Sequence, residues 1–182
     1  NKRRMSDEKM LDLIEHFSKI NLTIAEVPHD IMGDGYEYLI KKFADDSGHT
    51  AAEFYTNRTL VKLMTLITDP KPGESVYDPT CGSGGILLNS VLYLKEQKKE
   101  YRTLKLYGQE LNLITSAIAR MNMFMHNIDE FLVVQGDTLD SPQILENDEL
   151  KKFDVIMANP PYSIKRWSQA KWMNDPYGRN IW

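Results

Sequence analysis

The sequence is poor in cysteine, in long apolar runs and in basic charge, and each shortage excludes a class of protein. Cys81 is the single cysteine of 182 residues, so no internal disulfide can form; this fits a reducing cytoplasm and a small, buried side chain. No run reaches the ~20 apolar residues of a membrane span, and we expect no membrane contact. The four histidines lack the spacing of metal ligands, so no metal site is predicted. A net charge of -4 argues against a chain that grips DNA by overall basicity alone.

An apolar run at residues 153–158 ends in an informative polar sequence, Asn159, Pro160, Pro161 and Tyr162. Each proline fixes its own φ and pushes the preceding residue towards extended geometry, which holds the Asn159 side chain and the adjacent carbonyls in one arrangement. Two fixed neutral acceptors can take both hydrogens of an amino group on a planar base, while Tyr162 stacks on that base. The amino lone pair then leaves conjugation with the ring and becomes a usable nucleophile. The same pattern is also typical of a strand followed by a Pro-Pro turn.

A glycine-rich loop lies between a predicted strand at residues 75–77 and a predicted helix at residues 86–98, as in nucleotide-binding α/β sheets. Residues 78–85 read Asp-Pro-Thr-Cys-Gly-Ser-Gly-Gly. A P-loop needs Lys-Ser or Lys-Thr after the last glycine, and a dinucleotide fingerprint needs glycine or alanine at Leu87. Asp78, at the mouth of the loop, repels a pyrophosphate but suits a ligand with an ammonium and a sulfonium. We therefore predict that the loop binds S-adenosylmethionine and that Asp78 meets its positive end.

Two further predicted strands end in acidic residues. Residues 104–108 lead to Glu110, which is placed to accept both hydroxyls of a ribose. Residues 131–135 lead to Asp137, which can accept a hydrogen bond from the adenine amino group of the cofactor. Taken singly, each acid is also an ordinary strand-end residue. Polar side chains follow four consecutive strands, however, and the carboxyl ends of parallel strands are where open α/β sheets bind ligands.

These motifs together resemble the modification (methyltransferase) subunit of type I restriction-modification systems, a family of adenine-N6 DNA methyltransferases. The glycine loop, the Gly-Asp after the third strand and the Asn-Pro-Pro-Tyr are preceded by Glu-Phe-Tyr-Thr at residues 53–56 and Asp-Gly-Tyr-Glu-Tyr-Leu at residues 34–39. All five stand in the order that the family has. The chain departs from the family at Asn57, where proline is usual, and at Ala52, where glycine is frequent.

The resemblance implies an α/β, Rossmann-like S-adenosylmethionine-dependent methyltransferase sheet preceded by a helical N-terminal region. It implies that Asn159, Pro160 and Tyr162 act on the target adenine, and that Tyr55 and Thr56 line the methionine end of the cofactor. The full set predicted to bind the cofactor is Tyr55, Thr56, Asp78, Cys81, Gly82, Gly84, Glu110 and Asp137. The implied partners are DNA and the separate specificity and restriction subunits of a type I complex.

Two regions are predicted along the chain, an N-terminal helical region at residues 1–48 and a catalytic domain at residues 49–182. Helices are expected at residues 5–20, with Ser6 as the N-cap, and at residues 30–44. Their apolar stripes consist of Met10, Leu13, Ile14 and Phe17 in the first helix and, facing inward, Ile31, Tyr38, Leu39 and Phe43 in the second. Only four strands are found, fewer than a methyltransferase sheet normally has, so we expect the sheet to be incomplete in this chain.

The last part of the sequence, residues 163–182, interleaves basic and aromatic side chains. It contains Lys165, Arg166, Lys171 and Arg179 with Trp167, Trp172 and Trp182. Such a segment contacts nucleic acid, or it is a surface segment whose aromatics pack on parts of the protein that this sequence does not include.

Three functions are compatible with these motifs. The first is adenine-N6 methylation of DNA. The second is methylation of the exocyclic amino group of guanine in RNA, by enzymes that share the loop and the Asn-Pro-Pro-Tyr but usually carry threonine at Gly85 and glycine at Ser163. The third is a non-catalytic cofactor-binding or scaffold subunit, against which the intact Asn-Pro-Pro-Tyr argues.

Overall fold

The computed structural model describes residues 5–23, 25–46, 55–162 and 172–181. The helices in these ranges are α1 (Asp7–Ser18), α2 (His29–Asp46), α3 (Arg58–Thr68), α4 (Gly85–Glu96) and α5 (Leu113–Met125). The strands there are β1 (Ser75–Asp78), β2 (Lys105–Glu110), β3 (Phe131–Gln135), β4 (Leu145–Glu146), β5 (Glu149–Leu150) and β6 (Val155–Ile156). None of these helices combines the length and the apolar composition needed to cross a bilayer.

Four of the strands form a parallel sheet in the order β3-β2-β1-β6, and β4 pairs with β5 as a separate antiparallel hairpin. Val76 of β1 lies opposite Leu106 of β2 and Val155 of β6, which brings side chains of three strands together on one face. The chain moves outward from β1 to β3 and then returns to the other side of β1. This reversal creates a switch point beside β1, where open α/β sheets bind ligands.

The hydrophobic core lies between the sheet and the helices that connect its strands. The strands contribute Val76, Leu106, Val133 and Val155, all buried. Seven residues of α4 are buried as well, and Leu87 among them has no exposed surface. Burying one such leucine stabilises a fold by roughly 1.5–3 kcal/mol. The predicted α/β sheet, with a helix directly after the glycine loop, is confirmed.

The strand predicted at residues 153–158 is regular over a shorter stretch. Only Val155 and Ile156 pair with β1 in the ladder, and the Met157 amide adds one hydrogen bond to the Tyr77 carbonyl at 3.0 Å. Within the described residues β6 pairs on one side only, and Ile156 is 58% exposed. This unpaired edge of β6 agrees with the expectation that the sheet is incomplete in this chain.

The inward face predicted for α2 is wrong. Ile31, Tyr38, Leu39 and Phe43 are exposed to 61%, 64%, 48% and 62%. The buried residues are Gly33, Ile40 and Ala44, on a face that packs against α5. Gly33 lies so close to the buried His126 ring that a Cβ there would be 2.5 Å from the imidazole. The close approach of Gly33 to His126 therefore sets which side of α2 faces the protein, although the opposite side carries more large apolar side chains.

The helix α1 forms as predicted, and the Ser6 hydroxyl accepts the Lys9 amide at 3.4 Å. None of its residues is buried against the part of the chain that the structure describes. The helix α2 continues through Asp46, close to the predicted boundary at residue 48, and residues 47–54 lie outside the described ranges. The division into two regions stays a prediction.

Candidate active site

The four strand ends singled out in the sequence meet at one edge of the sheet. Asp78 ends β1 opposite Gly108, and Glu110 ends β2 opposite Gln135 of β3. Asp137 follows β3 by two residues and Asn159 follows β6 by three. Because all four strands run parallel, their carboxyl ends place these side chains around the switch point beside β1.

The glycine loop folds back onto the end of β2. The Cys81 amide donates to the Gln109 carbonyl at 3.0 Å, and the Gly84 amide donates to the Cys81 carbonyl at 2.7 Å. Gly82 and Gly84 have φ angles of 52° and 82°, in the left-handed region that favours glycine. The loop thus turns tightly and delivers α4 at Gly85, with backbone amides near the strand ends.

The Cys81 side chain packs inside the loop, as expected for a small buried residue. It is 4% exposed, and an added Cβ at Gly108 would lie 2.9 Å from its sulfur. Burial raises the pKa of the thiol well above its ordinary value, and the nearby Asp78 and Glu110 carboxylates raise it further. A neutral, packed thiol is not a nucleophile. Any contact of Cys81 with a ligand must therefore use its backbone.

Asp78 is more enclosed than its predicted position at the mouth of the loop implies. The side chain is 1% exposed, and its Oδ1 accepts the Thr80 amide at 3.0 Å. Burial raises the pKa of Asp78 to about 7, and the Glu110 charge adds to this effect against the opposing Thr80 amide. A buried carboxyl poised near neutrality gains strongly from a cationic neighbour, because the cation stabilises its charged form.

Glu110 and Asp137 both hold backbone turns at this edge. Glu110 accepts the Gly82 amide through Oε2 at 3.0 Å and the Asn112 amide through Oε1 at 2.8 Å, so it ties the glycine loop to the start of α5. Asp137 accepts the amides of Leu139 and Asp140 through Oδ1 at 2.9 and 3.2 Å. A carboxylate oxygen has two acceptor positions, so these bonds leave both acids able to accept more.

Asn159 and Tyr162 lie together in the described part of the Asn-Pro-Pro-Tyr sequence. Asn159 Nδ2 donates a hydrogen bond to the Thr56 hydroxyl at 3.2 Å. The Tyr162 hydroxyl donates a hydrogen bond to Asn159 Oδ1 at 3.4 Å. Tyr162 is 84% exposed, so its ring is open to a stacking partner. The structure thus brings Thr56, predicted at the methionine end of the cofactor, into contact with a residue predicted to act on the base.

The helix α3, which the sequence analysis did not predict, positions this segment. Asn57 is its N-cap, and its side chain accepts the Thr59 amide at 2.9 Å. Asparagine is a favoured N-cap residue, so a helix can begin here although Asn57 stands where the family usually has proline. The helix buries Val61 and Thr65 and packs against α4. A polar cap residue followed by an apolar repeat was the signal that predicts this helix.

A half-buried ion pair next to Thr56 was also not predicted from the sequence. Arg58, in the first turn of α3, pairs with Glu37 of α2. Its guanidinium lies 5.2 Å from the ring centroid of Tyr55, as in cation–π contacts. Burial lowers the pKa of Arg58 to about 10, which leaves it charged at neutral pH. The pair links α2 to the segment that carries Tyr55 and Thr56.

The same pair reaches the glycine loop through a buried amide. Asn122 of α5 donates to Glu37 at 2.7 Å and to the Ser83 carbonyl at 3.1 Å. An added Cβ at Gly85 would collide with the Arg58 guanidinium. Glu37, Arg58 and Asn122 therefore form a network that joins three helices to the loop. No local sequence pattern marks it, since its members are far apart in the chain.

Arg179 is engaged within the protein. It pairs with Asp175 at 2.6 Å and donates to the carbonyls of Thr138 and Leu139 at 2.7 and 2.8 Å. Its guanidinium also lies 5.3 Å from the Trp172 ring centroid. Arg179 thus anchors residues 172–181 beside Asp137, and the choice between the two interpretations of the whole segment stays open. Lys165, Arg166, Trp167, Lys171 and Trp182 lie outside the described residues.

The parallel sheet, the glycine loop after β1 and the strand-end acids define the fold of S-adenosylmethionine-dependent methyltransferases. A Listeria monocytogenes protein assigned to class I of these enzymes has the same fold, with a TM-score of 0.59 over 85% of this chain and 46% of its own at 13% identity. The chain belongs to the N-6 DNA Methylase family, whose sequence profile matches residues 27–181. The family resemblance and the fold class expected from the motifs are thereby confirmed.

Individual relatives agree with this family. The methylase subunit of the type I restriction enzyme MpnII of Mycoplasma pneumoniae is 34% identical over 92% of this chain and 32% of its own length. The HindI methylase subunit of Haemophilus influenzae is 34% identical over 81% of this chain and 32% of its own. The type I methyltransferase subunit of Streptococcus thermophilus matches with a TM-score of 0.71 and 38% identity over 85% of this chain and 32% of its own. The chain thus spans about a third of these relatives.

Proposed function

We propose that this chain forms the catalytic core of a modification subunit that transfers a methyl group from S-adenosylmethionine to the N6 amino group of adenine in DNA. The observation that carries the proposal is the Asn159 amide. Its nitrogen is held by Thr56, and its oxygen faces the exposed Tyr162 at the same sheet edge as Glu110 and the glycine loop. That arrangement offers an acceptor for an amino group and a ring for a base, next to a nucleotide-binding loop.

The residues around the glycine loop fit S-adenosylmethionine. Asp78 is a buried carboxyl whose pKa of about 7 favours a cationic neighbour, which suits the positive end of this cofactor. Glu110 accepts the ribose hydroxyls, and Asp137 accepts the adenine amino group. Tyr55 and Thr56 line the methionine end. Cys81, Gly82 and Gly84 contribute their backbone. When bound, the cofactor supplies an electrophilic methyl group.

The chemistry at the target base falls to three residues. Asn159 Oδ1 and the adjacent backbone carbonyl at Pro160 accept the two hydrogens of the amino group, so that its lone pair leaves conjugation and points at the methyl carbon. Tyr162 stacks on the base, a contact that contributes about 1–3 kcal/mol in comparable complexes. The transfer would form a bond from the target nitrogen to the methyl carbon, break the sulfur–methyl bond of the cofactor to leave a neutral thioether, and release one proton from the nitrogen to solvent. A base inside a duplex cannot reach this edge, so it must be flipped out of the helix.

The partners follow from the family and from charge. The net charge of -4 makes the chain a poor DNA-binding surface by itself. A separate specificity subunit therefore selects the DNA sequence, and a restriction subunit completes a type I complex. The curated relatives are methylase subunits of type I restriction enzymes, which supports this assembly. The complex works in the cytoplasm, where its DNA substrate is found.

The structure gives a reason to prefer this function over methylation of guanine in RNA. Enzymes of the RNA class usually carry threonine where Gly85 stands. A side chain at position 85 would collide with Arg58, which is fixed by Glu37. In this chain the Arg58 guanidinium therefore fills the space that a threonine side chain at position 85 would need. The relatives named above also support the DNA function.

Cofactor binding by Glu110 is the first test. We expect Glu110→Ala to weaken S-adenosylmethionine binding by tenfold or more, since each hydrogen bond to a charged acceptor contributes roughly 1.5–3 kcal/mol. Isothermal titration of the full-length protein measures this, with a circular dichroism melt to show that the variant is folded. Glu130→Ala is the matched control, because Glu130 is an exposed acid at the opposite end of the sheet. Equal affinity of Glu110→Ala and parent would refute the ribose assignment.

A further inference from the structure

We infer that Thr56 is a positioning residue for the catalytic amide, and that it holds Asn159 with its oxygen towards the target base. The inference rests on the proposed function and goes beyond the contact with the cofactor expected for Thr56. Its basis is the hydrogen bond from Asn159 Nδ2 to the Thr56 hydroxyl at 3.2 Å, between residues 103 positions apart in the chain.

The orientation of an asparagine amide determines what it can do to an amino group. The amide oxygen can accept a hydrogen bond from the target amino group, whereas the amide NH2 group is itself a donor and cannot. Asn159 has its NH2 group on Thr56 and its oxygen towards Tyr162. The Thr56 hydroxyl therefore occupies the donor side of the amide and leaves the acceptor side for the base. Donation of that N–H also draws electron density to the oxygen, which makes it a better acceptor.

The position of Thr56 is well supported by the elements around it. It directly precedes Asn57, whose side chain caps α3, and α3 packs against α4 at the glycine loop. On the other side, Arg58 is fixed by its pair with Glu37. Thr56 and Asn159 are both half-buried, which limits competition from water. Thr56 lies outside the helix, directly before its N-cap, so the start of α3 holds its hydroxyl in place beside Asn159.

Two ordinary explanations make different predictions. If Thr56 only contacts the cofactor, loss of its hydroxyl weakens S-adenosylmethionine binding. If Thr56 only packs, loss of the hydroxyl has little effect, because valine has nearly the same shape. If Thr56 orients Asn159, loss of the hydroxyl slows methyl transfer at saturating cofactor by a larger factor than it weakens S-adenosylmethionine binding. These effects separate in single-turnover kinetics.

The experiment uses the full-length protein in complex with its partner subunits and a DNA duplex that the complex methylates. We expect Thr56→Val to slow single-turnover methyl transfer between about 10- and 100-fold, the scale of a misplaced reacting group. We expect this loss of rate at saturating cofactor to be larger than any loss of S-adenosylmethionine affinity, because Thr56 is also expected to contact the cofactor. Thr56→Ser, which retains the hydroxyl, is expected to keep most of the rate.

A double-mutant cycle tests whether Thr56 acts through Asn159. Adding Thr56→Val to Asn159→Ala is expected to cause no further loss of rate beyond about twofold, since the amide that Thr56 orients is already absent. Multiplying losses would overturn the inference, as would a Thr56→Val variant with the parent rate or with cofactor affinity reduced as much as the rate. The proposed function fails separately: Asn159→Ala alone would then methylate at the parent rate.

Discussion

The N-terminal helix α1 and the helix α4 of the sheet region differ in composition as well as in burial, since α1 alternates apolar with charged residues and α4 is apolar along most of its length. The helix α1 has a clear apolar stripe and buries none of its residues against the described part of the chain, whereas α4 buries seven. The helix α2 is intermediate, because it buries a narrow face of Gly33, Ile40 and Ala44 on α5. Periodicity thus predicts that a helix forms, but which residues it buries depends on the neighbours that the fold brings to it.

The two regions also differ in how they contribute to the candidate site. The sheet region supplies the strand-end acids and the glycine loop. The N-terminal helices supply one half-buried side chain, Glu37, which reaches the loop through Arg58 and Asn122. The helix α2 is therefore part of the support for the site, while α1 has no such link among the described residues. The comparison yields three predictions on stability.

The largest difference is expected between leucines of the two regions. Leu87→Ala, in the core, is predicted to lower the free energy of unfolding by about 2–5 kcal/mol, since it leaves a cavity in a closely packed site. Leu13→Ala, on the 47% exposed side chain of α1, is predicted to change it by less than about 0.5 kcal/mol. Urea unfolding of both variants beside the parent measures these values. Similar losses in the two variants would show that α1 packs as firmly as α4.

The next effect concerns pH. Asp78 has a pKa raised from 3.8 to about 7 by burial, so the folded state binds more protons than the unfolded state between these values. Stability contributed by the neutral carboxyl is therefore lost as pH rises from about 4 to about 7, by about 1.4 kcal/mol for each pH unit at most. Asp78→Asn is predicted to remove this loss. The free energy of unfolding of the variant minus that of the parent is therefore expected to be larger at pH 8 than at pH 5.

The control for this measurement comes from the other region. Asp12, exposed on α1, is replaced by asparagine and followed by urea unfolding at both pH values. The stability of Asp12→Asn relative to the parent is expected to be the same at pH 5 and pH 8. If Asp78→Asn behaves like this control, the Asp78 carboxyl is not held neutral by burial.

The smallest effect tests the link between the regions. Glu37→Gln is predicted to lower the free energy of unfolding by about 1–3 kcal/mol, because it weakens the pair with Arg58 in a partly buried setting. Glu96→Gln breaks an exposed pair with Lys62, at 4.0 Å, and is predicted to change stability by less than about 1 kcal/mol. Thermal melts of both variants compare them. A loss as small for Glu37→Gln as for Glu96→Gln would mean that α2 does not support the loop.

The sequence predicted the sheet, the loop and the strand-end residues because each is marked by a local pattern. A strand run followed by a glycine turn or an acid is visible within about ten residues, and parallel strands then place these ends together. The buried face of α2 was predicted wrongly because Gly33 packs on His126, a residue from a distant helix. The Thr56–Asn159 and Glu37–Arg58 contacts also join distant segments, so only the folded structure reveals them.

Asn159 is proposed to enable methyl transfer to adenine N6, and a labelling experiment measures this role. The full-length protein with its partner subunits is incubated with DNA and methyl-labelled S-adenosylmethionine, and the DNA is digested to nucleosides. We expect label in N6-methyladenine, a transfer rate lower by a factor on the order of 10² for Asn159→Ala, and an unchanged cofactor affinity. Label in a different base, or an Asn159→Ala rate equal to the parent, would contradict it.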